Sequence, residues 1–241
     1  AYEPFNIPSE SMLPNLLTGD HIFVSKYPYG YSKHSIPFFS MGGFDGRILE
    51  SPVKRGDAVV FKLPRDNETD YIKRVVGLPG DRMQMKSGFL YINGDKVKKE
   101  RVSDFVVSES ENTDCRDIPQ YRFRKVDNIV QCRYPQYKET LPNGVSYLTL
   151  DLLPNGPSDN TGVYTVPQGH YFAMGDNRDN SSDSRKPISL GVGYIPSKNL
   201  VGRAEIIFFS VNGNSELWEL WKWPKGLRAT RFFKSLRPNE N

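Results

Sequence analysis

The sequence lacks any apolar stretch long enough to cross a bilayer as a helix, which needs about 18 or more consecutive apolar residues. It also shows no cleavable signal peptide, and we expect an N-terminal transmembrane anchor to be absent from this chain. Neither sign of charge is in large excess, because the 241 residues carry 32 Lys and Arg against 28 Asp and Glu. The net charge of +4 gives no reason to expect nucleic acid as a partner.

Cysteine and histidine are scarce as well. The two cysteines, Cys115 and Cys132, have no nearby pair of histidines, which excludes a zinc site built on them. They form one disulfide in an oxidising compartment or remain two unrelated thiols, because the sequence does not fix the distance between them. We expect neither a metal nor another cofactor.

Long helical periodicity is missing, and short segments of strand length and composition take its place. These segments lie at residues 21–25, 58–64, 71–77, 88–92, 145–150, 161–166, 169–174 and 203–211. The pair at 58–64 and 71–77, joined by a polar turn, predicts an antiparallel hairpin. Residues 27–52, rich in Tyr, Pro, Gly and Ser, indicate a long surface loop. The sequence therefore predicts a mainly β fold built on an antiparallel sheet.

The composition changes after residue 81. Between residues 82 and 167, short strand-like pieces alternate with Lys-rich and Asn-Gly turns, and no residue there suggests chemistry. Apolar strand segments return after residue 168. We therefore predict a β core formed by residues 1–81 and 168–241, with an inserted β-rich domain at residues 82–167.

Residues 8–14, with the sequence Pro-Ser-Glu-Ser-Met-Leu-Pro, hold the first candidate for chemistry. The two prolines restrict the backbone and disfavour helix before Pro14, so the segment is predicted to be stiff and non-helical. A stiff segment can aim a hydroxyl, which makes Ser11 a candidate nucleophile and places Ser9 near the same reacting atom. Serines in such segments are also common turn and cap residues. A serine nucleophile further needs an activating base.

Lys73 is the candidate base. In a strand of period two it shares a face with Tyr71 and Val75, so its amine has apolar neighbours. Burial disfavours the ammonium and lowers a lysine pKa from about 10.4, which leaves a neutral amine able to accept the serine proton. The alternative is a lysine whose side chain extends along the surface to solvent.

Two other interpretations of the polar residues stay open. His170 precedes an Asp-rich loop, and a Ser/His/Asp triad has no fixed order along the chain. The loop at 176–183 has the acidic residues of a calcium loop, but it lacks the sixth-position Gly and the closing Glu, and Arg178 occupies a ligand position. We interpret it as a polar loop whose hydroxyls, Ser181 and Ser182, hold an uncharged lysine amine.

All three tryptophans, Trp218, Trp221 and Trp223, lie in one short segment followed by Lys, Arg and Phe residues up to Arg237. Aromatic rings among cations suit a membrane interface with anionic lipid. A closing strand with a solvated tail explains the same composition. A membrane lipid surface is therefore an expected partner, and a noncatalytic β-rich module that binds lipid through this end is the alternative to an enzyme.

Four segments together resemble the motifs of bacterial type I signal peptidase (leader peptidase), and they occur in the order of that family. They are residues 8–14, Gly-Asp-Ala-Val-Val-Phe at 56–61, Asp-Tyr-Ile-Lys-Arg-Val-Val-Gly-Leu-Pro-Gly-Asp at 70–81, and Gly-Asp-Asn-Arg-Asp-Asn-Ser-Ser-Asp-Ser-Arg at 175–185. The resemblance implies a membrane-anchored serine protease with a Ser/Lys dyad, which removes signal peptides from preproteins after small residues of the Ala-X-Ala type. Its catalytic domain would lie on the outer, periplasmic face of the plasma (inner) membrane.

The resemblance also implies roles residue by residue. Ser11 would be the nucleophile and Lys73 the base. The Ser9 hydroxyl and the Ser11 backbone N–H would both donate hydrogen bonds to the oxyanion, and Ser181 would orient the amine of Lys73. The supporting charges would be Asp183 and Arg185, and the positions that match the substrate cleft are Phe5, Ile7, Leu16, Val60, Tyr71 and Ile72.

This sequence departs from the family pattern at two positions. Glu10 stands where many members have Gly, and Ser182 stands where a small apolar residue is common. Ser182 leaves open which hydroxyl holds the lysine. Self-cleaving repressors share the fold and the dyad, but their DNA-binding helix-turn-helix has no counterpart in this sequence.

Overall fold

The structure, a computed structural model, describes residues 2–30, 51–109, 115, 119–124, 130–212 and 226–238. Most of the surface loop predicted at 27–52 lies outside these residues, as do His34 and the three tryptophans. Among the helices in the described residues, none has the length and apolar content to span a bilayer.

Strands dominate the described residues. They are β1 (Tyr2–Asn6), β2 (Asp20–Ser25), β3 (Ala58–Lys62), β4 (Asp70–Gly77), β5 (Arg82–Lys86), β6 (Phe89–Ile92), β7 (Asp95–Lys96), β8 (Lys98–Arg101), β9 (Phe105–Ser108), β10 (Arg122–Arg124), β11 (Val130–Tyr134), β12 (Gln136–Thr140), β13 (Ser146–Leu150), β14 (Tyr164–Thr165), β15 (His170–Met174), β16 (Ile195–Pro196) and β17 (Leu200–Ser210). Short 3₁₀ turns lie at Pro119–Tyr121, Ser197–Asn199 and Ala229–Arg231. The prediction of a mainly β fold is confirmed.

The largest sheet has seven strands in the order β1-β2-β17-β3-β4-β15-β16, with antiparallel neighbours. The predicted hairpin is confirmed as β3 and β4, in which Val59 lies opposite Lys73. Strand β15 pairs with β4 only over residues 74–77. Within the described residues, the first half of β4 therefore keeps one edge without a strand partner, beside Lys73.

The strands of residues 82–167 form three smaller sheets. Their orders are β14-β5-β6-β7, β10-β11-β9 and β13-β12-β8. The seven-stranded sheet, by contrast, draws its strands only from the segments on either side. This grouping supports our proposal that residues 82–167 are an inserted domain. Its core is continuous with the main sheet, because Val76 and Phe172 pack in one cluster with Met83, Leu90 and Val145.

Cys115 and Cys132 are joined by a disulfide, with their Cα atoms 5.5 Å apart. Both are buried in a cluster that includes Leu13 and Leu17. The question that the sequence left open is therefore answered by the structure. The disulfide also packs the inserted region against the chain segment that follows Ser11.

Several strand boundaries differ from those predicted. The strand expected at 161–166 is reduced to Tyr164–Thr165, and β1 was not anticipated, because Pro4 interrupts its apolar pattern.

The described end of the chain is not a solvated tail. Arg231 binds both carboxylate oxygens of the buried Asp20, at 3.0 and 2.6 Å, and Arg228 donates to Thr18 O at 2.9 Å.

Candidate active site

Ser11 lies in a compact pair of turns rather than in a helix. Leu13 N donates to Glu10 O at 3.1 Å, and Asn15 N and Leu16 N donate to Met12 O at 3.0 and 2.9 Å. The apolar side chains of Met12, Leu13 and Leu16 are buried beneath these turns. Because the core holds the segment from below, the predicted stiff presentation of Ser11 has a clear physical basis.

Lys73 meets Ser11 across 62 residues of sequence. The Lys73 Nζ donates to Ser11 Oγ at 2.7 Å and to Ile72 O at 2.8 Å, and it lies 5.3 Å from the centre of the Tyr71 ring. Lys73 is 3% exposed, and Ser11 is 8% exposed. A lysine extending to solvent is thereby excluded. Ser9 Oγ lies 3.3 Å from Ser11 Oγ, so a second hydroxyl is close to the first.

The electrostatic environment keeps the lysine near the point of deprotonation. Burial lowers the pKa of Lys73 from 10.5 to about 8, while the carboxylates of Asp183 and Asp176 oppose the shift. Without those two carboxylates, burial would lower the pKa further. The amine therefore titrates close to neutral pH, which suits a general base.

The loop at 175–185 holds the Ser11 segment from the other side. Asn177 N donates to Ser11 O at 3.1 Å, and the Asn177 side-chain amide donates to Glu10 O at 3.3 Å. Arg74, which follows Lys73, donates from two nitrogens to Asp176 at 2.8 and 2.7 Å. The loop thus links the segment of Ser11 to the strand of Lys73 through hydrogen bonds at both ends.

The charges at the end of this loop pair with each other. Arg185 donates from two nitrogens to Asp183, at 2.9 and 2.8 Å, and Gly175 N donates to the same carboxylate at 3.0 Å. Although burial alone would raise the pKa of Asp183, Arg185 together with the hydrogen bonds from Gly175 and Ser181 outweighs it, and the pKa is lowered. Asp183 therefore remains an anion near Lys73. The supporting role of both residues stays a proposal.

Gly175 is required by the closeness of the two segments. A Cβ at this position would lie 2.3 Å from Ser181 Oγ and 2.6 Å from the backbone oxygen of Ser11. Ser181 is consequently packed next to the turn that contains Ser11. Its buried hydroxyl does not bond Lys73 directly, but it lies close enough to the Asp183 carboxylate to help lower the pKa of that group. Ser182 is turned elsewhere, since its hydroxyl donates to Leu190 O at 3.2 Å.

The residues expected to line a substrate cleft divide into two groups. Ile7, Leu16, Val60 and Ile72 are buried in one apolar cluster, and Phe5 packs against it half-buried. Tyr71 packs against a different cluster, since alternate residues of β4 face opposite sides. The first cluster contains Met12 and Ile72, the chain neighbours of Ser11 and Lys73, and contact of the six residues with substrate remains a proposal.

The alternative base is placed elsewhere. His170 Nδ1 is 2.9 Å from Gln168 O, at the start of β15. The lysine, not this histidine, makes the hydrogen bond to Ser11. The structure therefore favours a dyad of Ser11 and Lys73 over a triad containing His170.

One acidic cluster includes a residue of the Asp-rich loop. Carboxylate oxygens of Asp151, Asp159 and Asp179 lie within 4.8 Å of one another. Lys99 pairs with Asp151, and Leu152 N donates to Asp179 at 2.6 Å. Protein groups thus already satisfy much of this charge. We assign no metal to the cluster.

A buried ion pair that the sequence analysis missed joins residues 82–167 to the loop at 175–185. Arg178 donates from two nitrogens to Glu139 on β12, at 2.6 and 2.5 Å, and Tyr147 OH donates to the same carboxylate at 3.0 Å. Glu139 is fully buried. Burial lowers the pKa of Arg178, but the Glu139 carboxylate outweighs it and raises the pKa. No local pattern marks Glu139, because its partner is 39 residues away.

Asn15 is a second residue that the sequence analysis missed. Its side-chain amide donates to Leu148 O at 2.8 Å and to Asp176 at 2.7 Å. The turn after Ser11 is thereby tied both to β13 and to the carboxylate that holds Arg74. In the sequence, only its position directly after Pro14 indicated that Asn15 lies next to the Ser11 segment.

A mainly β chain that holds a serine hydroxyl against the amine of a buried lysine has the arrangement of a serine hydrolase. Comparison with known proteins gives the family, since the sequence model described as "Signal peptidase, peptidase S26" matches residues 1–209. Signal peptidase I of Rickettsia typhi and that of Rickettsia conorii are each 36% identical to this chain over 250 residues, covering 97% of this chain and 85% of the relative. The chain therefore belongs to the signal peptidase family of serine endopeptidases.

Solved structures include a similar protein. A crystal structure of a signal peptidase I from Enterococcus faecalis is 25% identical and covers 64% of this chain and 97% of its own. Its TM-score is 0.32, so we base no argument on this likeness.

Proposed function

We propose that this signal peptidase cuts preproteins with Ser11 as nucleophile and Lys73 as general base. The observation that carries the proposal is the 2.7 Å contact between Lys73 Nζ and Ser11 Oγ, both in buried residues. A neutral amine at this distance is placed to take the hydroxyl proton. The low pKa of Lys73, about 8, makes that neutral form available near physiological pH.

The reaction has two halves, in which Lys73 moves one proton back and forth. In the first, Ser11 Oγ bonds to the scissile carbonyl carbon while its proton passes to Lys73 Nζ. The C–N bond then breaks, and the departing amine of the mature protein takes the proton from Lys73. In the second, water attacks the ester and gives a proton to Lys73. That proton returns to Ser11 as the signal peptide leaves.

The tetrahedral intermediate needs hydrogen-bond donors for its oxyanion. We assign this role to the Ser11 backbone N–H and to the Ser9 hydroxyl, which lies 3.3 Å from Ser11 Oγ. Removing one such donor typically costs a factor of about a hundred to a thousand in rate. Ser9 is exposed and therefore free to turn toward a bound substrate.

Ser181 is proposed to orient the amine in its neutral form. A neutral amine has two N–H groups and one lone pair, and the lone pair must face the Ser11 hydroxyl. The Ile72 carbonyl accepts one N–H. The buried Ser181 hydroxyl, which can donate its own hydrogen to Asp183, would accept the second. Asp183 and Arg185 are proposed to hold this loop in position.

Substrate is proposed to bind as an added strand beside the first half of β4. One edge of that half lies free of strand partners in the described residues, which suits backbone pairing with an extended peptide. The apolar lining formed by Ile7, Leu16, Val60 and Ile72, with Phe5 and Tyr71 at its sides, would leave shallow pockets. Such pockets would favour small residues one and three positions before the cut.

Signal peptidases are membrane-associated enzymes, and we propose that this domain works on the outer, periplasmic face of the plasma membrane. The disulfide between Cys115 and Cys132 supports this side, because such bonds persist in oxidising compartments and are rare in the cytosol. The partners there would be preprotein signal peptides and the lipid surface.

Incubation with a purified preprotein tests the proposal. Mass spectrometry of the products should show one new N-terminus directly after an Ala-X-Ala sequence, and Ser11→Ala should yield intact preprotein. A noncatalytic module would leave the preprotein uncut with the wild type as well. Cleavage by Ser11→Ala at the wild-type rate would overturn the proposed nucleophile.

A further inference from the structure

A cavity of about 350 Å³ lies between the C-terminal segment and the inserted sheet, away from the Ser11 hydroxyl. Its lining includes Arg74, Lys138, Lys234, Ser235 and Arg237. The volume is within the roughly 300–1,000 Å³ of small-molecule sites. We call it the tail pocket, because residues 234–238 form one of its walls. Neither the catalytic proposal nor the substrate cleft uses it.

The charge of the tail pocket is of one sign. Four of its lining residues are Lys or Arg, and none of those described there is Asp or Glu. Two of the four are already paired, since Arg74 binds Asp176 at 2.7 Å and Arg237 binds Glu205 at 2.5 Å. Lys138 and Lys234 have no carboxylate partner in the described part of the chain. Among the described residues, these two ammonium groups therefore line one cavity without a carboxylate in ion-pair contact.

The two lysines approach the pocket from separate elements. Lys138 projects from β12, whereas Lys234 lies in the segment held on β17 by the pairing of Ser235 with Ile206. Ser235 Oγ accepts a hydrogen bond from Arg237 N at 3.2 Å, which leaves its hydroxyl hydrogen to donate. Burial and the nearby Arg231 lower the pKa of Lys234, and the Asp20 carboxylate opposes this shift only in part. An anion in the pocket would offset both effects.

We propose that the tail pocket binds a phosphate group, carried by a lipid headgroup or by a small phosphorylated molecule. Phosphate offers several acceptor oxygens around one centre, so two ammonium groups and a hydroxyl can bind it together. A carboxylate has two oxygens and one charge and would satisfy fewer of these donors. Bound phosphate would also tie the C-terminal segment to the inserted sheet, because each supplies one lysine.

The test compares two variants of equal charge. Lys138→Gln/Lys234→Gln removes both ammonium groups from the tail pocket. Lys86→Gln/Lys96→Gln removes two exposed lysines of β5 and β7 outside its lining. Calorimetric titration at low salt would measure the affinity of each protein for inorganic phosphate and for glycerol 1-phosphate. We expect about tenfold weaker binding or more in the pocket variant and unchanged binding in the control.

Vesicles distinguish the two sources of phosphate. Cosedimentation with phosphatidylglycerol vesicles, compared with phosphatidylcholine alone, should be lost in the pocket variant if a lipid headgroup is the ligand. If only the glycerol 1-phosphate affinity falls, the ligand is a small phosphorylated molecule. The proposal is overturned if wild type binds none of these probes, or if both variants lose binding equally. Should the double variant unfold, Lys138→Gln alone serves with the same expected direction.

Discussion

The pH dependence of cleavage follows most closely from the geometry of the site. Lys73 must be neutral to accept the proton of Ser11, and burial lowers its pKa from 10.5 to about 8. At pH 7 about one molecule in ten therefore has the neutral amine, and at pH 6 about one in a hundred. An exposed lysine would leave fewer than about one in a thousand at pH 7.

The assay is the catalytic efficiency on a peptide substrate measured from about pH 5 to about pH 10. The catalytic efficiency should rise about tenfold per pH unit and level off above a pKa close to 8. His170→Ala should show the same rising limb of the pH profile. A histidine base would place the limb near about 6.5. A limb there, lost in His170→Ala, would refute the reasoning, and so would a limb at the ordinary lysine value.

Unfolding offers a second measure of the same shift. The lowering of the Lys73 pKa from 10.5 to about 8 means that the folded protein is about 3 kcal/mol less stable with Lys73 protonated than it would be with an unshifted lysine. Between those pH values the unfolded chain binds more protons at Lys73 than the folded protein does. The free energy of unfolding therefore rises with pH in this range, and below pH 8 the full destabilisation by the buried lysine is present. The stability difference between Lys73→Met and wild type should therefore fall by about 3 kcal/mol from pH 7 to pH 10.5. A constant difference would contradict the shifted pKa.

Three further predictions concern the supporting structure and the substrate. Glu139→Gln should lower the free energy of unfolding by about 3–5 kcal/mol, because it leaves the buried Arg178 without its partner. Glu100→Gln, in an exposed pair of the same region, should cost less than about 1 kcal/mol in denaturant titrations. Gly175→Ala should abolish cleavage through its clash with Ser11 O, whereas Gly162→Ala, with open space around it, should cleave normally. In a peptide series with Ala, Val, Leu or Phe one and three positions before the cut, rates should fall with size; equal rates for Ala and Phe would exclude shallow pockets.

The sequence is sufficient to predict the parts of the fold that depend on local pattern. The β3–β4 hairpin has two apolar runs and a polar turn between them, and both strands form as expected. Lys73 was placed among apolar neighbours by the alternation of β4, and it is buried. The cleft, the supporting charges and the domain division came from the resemblance or from composition, and they stay predictions.

Contacts between distant segments were beyond the sequence. Glu139 was overlooked because residues 82–167 showed no sign of chemistry, although its carboxylate binds Arg178 of the loop at 175–185. Residue spacing cannot show that β12 packs against this loop. The partners of Arg231 were missed for the same reason. In the sequence it is one of several cations near the end of the chain, and only the structure shows that it binds the buried Asp20. Each of these pairs is set by tertiary packing rather than by propensity.

The initial rate of preprotein cleavage by Lys73→Arg and Lys73→Ala, with folding verified by circular dichroism, tests the proposed mechanism most directly. Arginine keeps a positive charge but stays protonated and cannot accept the Ser11 proton, and alanine has no amine. Because nucleophile and base act as a unit, both variants should be as inactive as Ser11→Ala. Cleavage by either folded lysine variant at a rate comparable to wild type would contradict the assignment of Lys73 as the base.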